Sequence, residues 1–191
     1  MYFIANWKMF GRLSSLNSLK KVVKFLRKYK KNKFIKIIYC PPSTLIQSMS
    51  KILKNSPIKV GAQNCHEGQT YGPFTGFINS KMLKNVGAKY VIIGHSENRN
   101  LGETDRLINT KIKSALKSGL KVIFCIGETL QQKKKKFTRK VLRKQMSLGL
   151  EKINNKKDVI IAYEPVWSIG TGRTPKTKEL FEIINFLKKE Y

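Results

Sequence analysis

Six short apolar runs, rich in β-branched residues and lacking any apolar-polar alternation, constrain this chain more than any other feature: Tyr2 to Ala5, Phe34 to Tyr39, Ile58 to Ala62, Tyr90 to Ile93, Val122 to Ile126 and Val159 to Tyr163. A strand with one wet face alternates, whereas a strand covered on both faces does not, so these runs predict a parallel sheet sheathed by helices. They recur at a spacing of ~30 residues, the length of a strand-helix-strand unit. Between most of them lie amphipathic stretches. Leu16, Leu19, Val23 and Leu26 follow 3 and 4 spacing behind the capping candidates Ser14 and Ser15, while Lys20, Lys21, Lys24, Arg27 and Lys28 fill much of the remaining surface. The pattern returns at Ser43 to Leu53, Glu103 to Leu116, around Leu130 to Ile153, and Thr177 to Lys189. The chain therefore reads as α/β, a single domain over 1–191 made of six strand and helix units with no linker between them. Periodicity leaves an open doubly wound sheet and a β/α barrel both standing, because each is a series of right-handed crossovers.

With 191 residues, 41% of them apolar, the chain can bury a sizeable core without disulfides or metals, which excludes disorder. No apolar run approaches the ~20 residues of a membrane span, and the N-terminus lacks a basic stretch ahead of a long apolar one. The expectation is a soluble, cytoplasmic protein. Cys40, Cys65 and Cys125 form an odd set with no C-x-x-C pair, each in or near an apolar run. Reduced cysteines that serve packing are expected, and no metal site.

A net charge of +28 suggests a polyanion partner on its face. However, 32 of the 39 basic residues are Lys and only seven are Arg, whereas bidentate grip on phosphate or bases favours Arg. The lysines are also spread along presumed helix faces, with one dense run from Lys133 to Lys136. This distribution argues against dedicated nucleic-acid binding.

Polar groups follow the apolar runs on their C-terminal side: Asn6 and Lys8 after the first, Gly94-His95-Ser96-Glu97 after the fourth, Gly127-Glu128 after the fifth, Glu164 after the sixth. In parallel α/β folds the carboxyl ends of the strands are where active sites lie. His95 precedes the capping-type residues Ser96 and Glu97, which places its ring near a helix N-terminus, where positive potential favours a neutral imidazole. A core histidine with a local partner fits the same position. Gly94-x-Ser96 is no nucleophile elbow, since Asn98 stands where the second glycine belongs. Glu164 lies between Val159-Ile160-Ile161-Ala162-Tyr163 and Pro165, where desolvation is expected to raise its basicity toward what proton abstraction needs. A salt-bridged structural glutamate is the alternative. The following segment, Pro165 to Gly172, is an apolar loop with a Gly-rich end that can swing over a small substrate and offer N–H groups to a phosphate.

Asn6-x-Lys8, Ala62-Gln63-Asn64, Phe74-Thr75-Gly76, Gly94-His95-Ser96-Glu97-x-Arg99, Cys125-Ile126-Gly127-Glu128 and Ala162-Tyr163-Glu164-Pro165-Val166-Trp167-x-Ile169-Gly170-Thr171-Gly172 resemble, in order and spacing, the triosephosphate isomerase family. The resemblance runs from one end of the chain to the other and implies a (β/α)8 TIM barrel, of which about six units are present. By resemblance, Glu164 is the base that moves a proton between two carbons of the triose, His95 the neutral electrophile, and Lys8 the positive charge for phosphate and enediolate. Asn6 and Gly170 then bind substrate, Ser96 and Glu97 support the site, and Pro165, Val166, Trp167, Ser168, Ile169, Thr171 and Gly172 form the lid with Gly170. The implied reaction interconverts glycerone phosphate and D-glyceraldehyde 3-phosphate, in glycolysis and gluconeogenesis, with no metal or organic cofactor. Cys65 to Asn79 resembles a loop that reaches into a neighbouring subunit, with Thr75 near the partner's Lys8, so a homodimer is implied.

Asn98, Phe77 and Pro73 depart from the family's usual Arg, Glu and Ala, and the first two departures remove charged partners at or near the subunit contact. Units seven and eight are also absent, and with them the loops that usually carry the phosphate site. A fragment that is aggregation-prone and inactive by itself is the expectation for the 191 residues alone. A catalytically silent basic protein that binds polyanions is the competing reading.

Overall fold

The computed structural model describes residues 1–28 and 35–191. Its strands are β1 (Tyr2–Asn6), β2 (Lys36–Cys40), β3 (Lys59–Ala62), β4 (Tyr90–Ile93), β5 (Lys121–Ile126) and β6 (Val159–Tyr163), each within two residues of a predicted run. The strand order is β1-β2-β3-β4-β5-β6. The β1/β2, β2/β3 and β3/β4 pairs are parallel, with Ile4 beside Ile38, Tyr39 beside Val60 and Ala62 beside Val91. The helices are α1 (Asn17–Lys28), α2 (Ile46–Leu53), α3 (Ser80–Asn85), α4 (Ser96–Asn100), α5 (Asp105–Lys117), α6 (Leu130–Lys134), α7 (Thr138–Gly149) and α8 (Thr177–Glu190). Phe34, the start of the second predicted run, lies outside the described residues.

Two compact units make up the described chain: Met1–Ile92 with Ser114–Val122, and Ile93–Lys113 with Ile123–Tyr191. In the first, Leu45, Ile46, Met49 and Leu53 of α2 and its leading turn share the buried core with Ile38, Val60 and Ala62. Burying each such large aliphatic side chain contributes about 1.5–3 kcal/mol. Gly61 is needed there because a Cβ would stand 2.6 Å from Cys40 Sγ. In the second unit Phe124 and Ile126 of β5, Ile108 and Ile112 of α5, and Leu142 and Met146 of α7 are buried. Gly149 ends α7 beneath Phe124, whose ring a Cβ would meet at 2.3 Å.

The structure departs from the sequence reading in three places. The long stretch from Leu130 is two helices, broken at Lys135–Phe137, where Lys136 takes a left-handed φ of 58°. Helix α3 was not predicted; its start is set by Asn79, whose side chain accepts the Met82 N–H at 2.9 Å. Two-sided cover holds for β4 and most of β5 but fails for β1, where Tyr2 and Phe3 are 40% and 53% exposed. Among the described residues β1 stands at one end of the strand order and pairs with β2 alone. All three cysteines are buried, and burial pushes the Cys40 thiol up to about 12.

Candidate active site

The fourth strand ends at Ile93, and Gly94, with φ at 77°, turns the chain sharply into α4. His95 is the N-cap of α4. Its Nδ1 accepts the Glu97 backbone N–H at 3.2 Å and lies 3.5 Å from Glu97 Oε2. The backbone group can only donate, and it is the nearer contact, so the proton of a neutral ring belongs on Nε2. That Nε2 stands 2.7 Å from Glu164 Oε1. The turn is braced by Arg99, which donates to the Gly94 carbonyl at 2.7 Å and the Cys125 carbonyl at 3.3 Å, and pairs with Asp105 at 2.6 Å.

Glu164 follows β6 directly. Its N–H donates to the Ile126 carbonyl at 2.8 Å, and its own carbonyl runs so close to Gly127 that a Cβ there would fall 1.8 Å away. Only glycine fits at position 127. Gln145 of α7 grips the same residue twice, accepting the Gly127 N–H at 2.9 Å and donating to its carbonyl at 3.1 Å. The Glu164 side chain, 18% exposed, places Oε2 3.0 Å from the Ser96 N–H. Burial by itself pushes this carboxyl up, but the hydrogen bonds from His95 and from the Ser96 backbone and hydroxyl outweigh it, and the net shift is downward. The raised basicity expected from desolvation alone is therefore not found in this resting arrangement.

A second carboxylate organises the loop. Glu128 is fully buried and accepts the Tyr163 hydroxyl at 3.1 Å on both oxygens and the Trp167 indole N–H at 2.8 Å, while its backbone carbonyl accepts the Val166 N–H at 3.2 Å. Burial, then the charge of Glu128, pushes the Tyr163 phenol upward. Beyond a short turn at Val166–Ser168, the Thr171 hydroxyl donates to the Trp167 carbonyl at 3.0 Å. Gly170 and Gly172 have φ values of 68° and 70° with open space around them, so backbone conformation and not packing requires glycine there.

The structure thus brings His95, Ser96, Glu97, Glu164 and the loop residues Pro165 to Gly172 into one unit. Asn6 and Lys8 belong to the other, where the Lys8 N–H donates to Asn6 Oδ1 at 2.9 Å and the Lys8 carbonyl accepts from Gln63 at 2.8 Å. Lys8 takes a left-handed φ of 50°, a conformation that lysine adopts at a cost. Thr75 is exposed on a loop where His66 packs against Phe74 and Phe77 at 4.5 and 4.9 Å between ring centres. Sequence reasoning noted Glu128 as a polar strand end but missed its anchoring of Trp167, and it missed Gln145 altogether. Trp167, placed three residues after the carboxylate that ends β6, was the available signal for the first; nothing in the sequence marked the second. Among the described residues no group of three His, Cys, Asp or Glu stands close enough to hold a metal ion, and no helix is long and apolar enough to cross a membrane.

The model of one protein family, triosephosphate isomerase, matches residues 1–191. The triosephosphate isomerase of Dictyoglomus thermophilum is 41% identical over 189 residues, covering 97% of this chain and 74% of that protein. The chain belongs to the triosephosphate isomerase family. The Aquifex aeolicus triosephosphate isomerase is 39% identical over 186 residues, again covering 74% of its length. The crystal structure of triosephosphate isomerase from Bartonella henselae superposes with a TM-score of 0.88 at 34% identity, over 99% of this chain and 74% of that one. Triosephosphate isomerase family membership, the isomerase class and the β/α-barrel fold are those expected from the sequence, and this chain spans about three quarters of the relatives' length.

Proposed function

We infer that this chain interconverts glycerone phosphate and D-glyceraldehyde 3-phosphate through an enediolate, the reaction of its family, with Glu164 as base and His95 as electrophile. The observation that carries the reading is the 2.7 Å contact between His95 Nε2 and Glu164 Oε1, made by a ring whose Nδ1 is occupied by a backbone N–H. A ring held this way keeps its single proton on the nitrogen that faces the reacting groups. In the reaction Glu164 leaves Nε2 and takes the proton from one carbon of the triose. The electrons move onto the carbonyl oxygen, which takes the Nε2 proton while the neighbouring hydroxyl gives its own proton back to Nε2, and Glu164 delivers the carbon-bound proton to the neighbouring carbon. Release from Ser96 and His95 also frees Glu164 from the contacts that lower its pKa, so the base strengthens where it is used.

Lys8 supplies positive charge for the phosphate and the enediolate, Asn6 orients the substrate, and the N–H of Gly170 meets the phosphate. Ser96 and Glu97 hold the pair at rest, and Pro165 to Gly172 close over the substrate and exclude water. The chain acts as one barrel domain, in the cytoplasm, as a homodimer to which the Thr75 loop contributes. The test is isomerisation in deuterated water. A proton carried by a side chain exchanges with solvent between its two transfers, so deuterium should enter the product's carbon skeleton, and Glu164→Gln should remove both the label and the turnover. Turnover without label in the parent chain, or label that survives Glu164→Gln, would sink the assignment.

A further inference from the structure

The basic run that begins at Lys133 does something particular at its first residue. Lys133 Nζ stands 3.6 Å from the Trp167 ring centre and 2.5 Å from Glu179 Oε1 on α8. Trp167 in turn donates its indole N–H to Glu128 at 2.8 Å. The result is an alternating series of carboxylate, indole edge, indole face, ammonium and carboxylate. Each contact strengthens the next: an anion on the N–H pushes electron density toward the ring face, and a richer face attracts a cation more strongly. Glu179 fixes where the ammonium stands, which a four-carbon stem would otherwise leave unspecified. The charge of Glu179 also reaches this cluster from α8, since it adds to the upward push on the Tyr163 phenol.

We propose that Lys133, held by Glu179, is a positioning residue that sets the resting seat of Trp167 and so biases the 165–172 loop toward the arrangement seen here. The proposal rests on the reading of that loop as the lid, whose closure carries Trp167 off this seat. Trp167 is the first bulky aromatic after Glu164, and Glu128 and Lys133 hold it from its edge and its face. Removing the ammonium weakens the resting state by roughly 3- to 10-fold relative to the closed one. A ligand that binds the closed state then binds more tightly by that factor, with no gain in turnover.

The chain has two tryptophans, so in a Trp7→Phe background Trp167 is the sole indole. In that background Lys133→Gln should raise acrylamide quenching of Trp167 and lower KM for glyceraldehyde 3-phosphate by about 3- to 10-fold, with kcat unchanged or lower. Lys133→Arg should restore both values, and Glu179→Gln should move both in the same direction by less. Lys134→Gln removes the same charge from an exposed neighbour and should move neither. Unchanged quenching or unchanged KM in Lys133→Gln overturns the proposal, as does failure of Arg to rescue or an equal effect from Lys134→Gln. If Lys133→Gln does not fold, Glu179→Gln carries the same two readouts. A parent chain without isomerisation would refute the functional reading, and with it the lid bias, while quenching would still decide whether Lys133 seats Trp167.

Discussion

Glu128, two residues past β5, has no exposed surface and spends both oxygens on neutral donors, the Tyr163 hydroxyl and the Trp167 indole. Glu164, directly past β6, keeps 18% of its side chain exposed and faces His95 and the Ser96 N–H, groups that belong to another loop. Both carboxylates end neighbouring strands of one unit, yet the first is enclosed by the residues it anchors and the second rests on contacts it can exchange. The difference teaches where chemistry can reside. A carboxylate that must move needs an open side and partners that hold its charged form without burying it, whereas an anchor needs the reverse.

Exchanging the two carboxylates for amides is the strongest way to break this comparison. Glu164→Gln should lower kcat by about 10²–10⁴-fold, the usual share of a general base, with thermal stability little changed. Steady-state kinetics beside thermal unfolding reads both quantities. Glu128→Gln should show the opposite balance: the amide lacks the charge that strengthens the hydrogen bonds from Tyr163 and Trp167, and its NH2 replaces one of the two oxygens that face the Tyr163 hydroxyl, so about 1–3 kcal/mol of stability should go with a smaller loss of kcat. Equal kinetic losses in the two variants would erase the distinction.

A smaller set of effects concerns what brings the two strand ends together. Gly127→Ala would drive a methyl group to 1.8 Å from the Glu164 carbonyl, a backbone atom that cannot step aside, and should cost about 3 kcal/mol or more in urea unfolding. Gly170→Ala, with open space at its Cβ and only a left-handed φ to maintain, should cost about 1 kcal/mol. A Gly127→Ala chain as stable as Gly170→Ala would show that the approach of β5 to β6 is looser than described.

The smallest effect sharpens the account of Glu164 itself. Its carboxyl is held below its ordinary value in the folded chain, so its ionised form contributes stability that is fully present above the unfolded pKa. That contribution fades as pH falls through the lowered folded value. The stability difference between parent and Glu164→Gln should therefore shrink as the solution is acidified below the usual carboxylate range. A difference that stays flat with pH would mean that His95 and Ser96 do not favour the charged form.

Strand positions and helix faces were legible in the sequence because they rest on local periodicity, and the runs from Tyr90 to Ile93 and from Val159 to Tyr163 coincide with β4 and β6. The family was legible too, because motifs such as Tyr163-Glu164-Pro165-Val166-Trp167 are contiguous in the chain. His95 as a helix cap was readable from the residues that follow it, since a cap is made by its immediate neighbours. The tertiary structure alone decided the rest. That Glu164 is lowered and not raised depends on His95 and Ser96, which stand 69 and 68 positions away in the chain, and burial by itself gives the wrong sign. That Gly127 must be glycine, that Gln145 grips it and that Lys133 covers Trp167 are equally contacts between distant segments. Periodicity reports which face of an element is apolar, but which side chain meets which across two elements is fixed only when the strands pair and the helices pack.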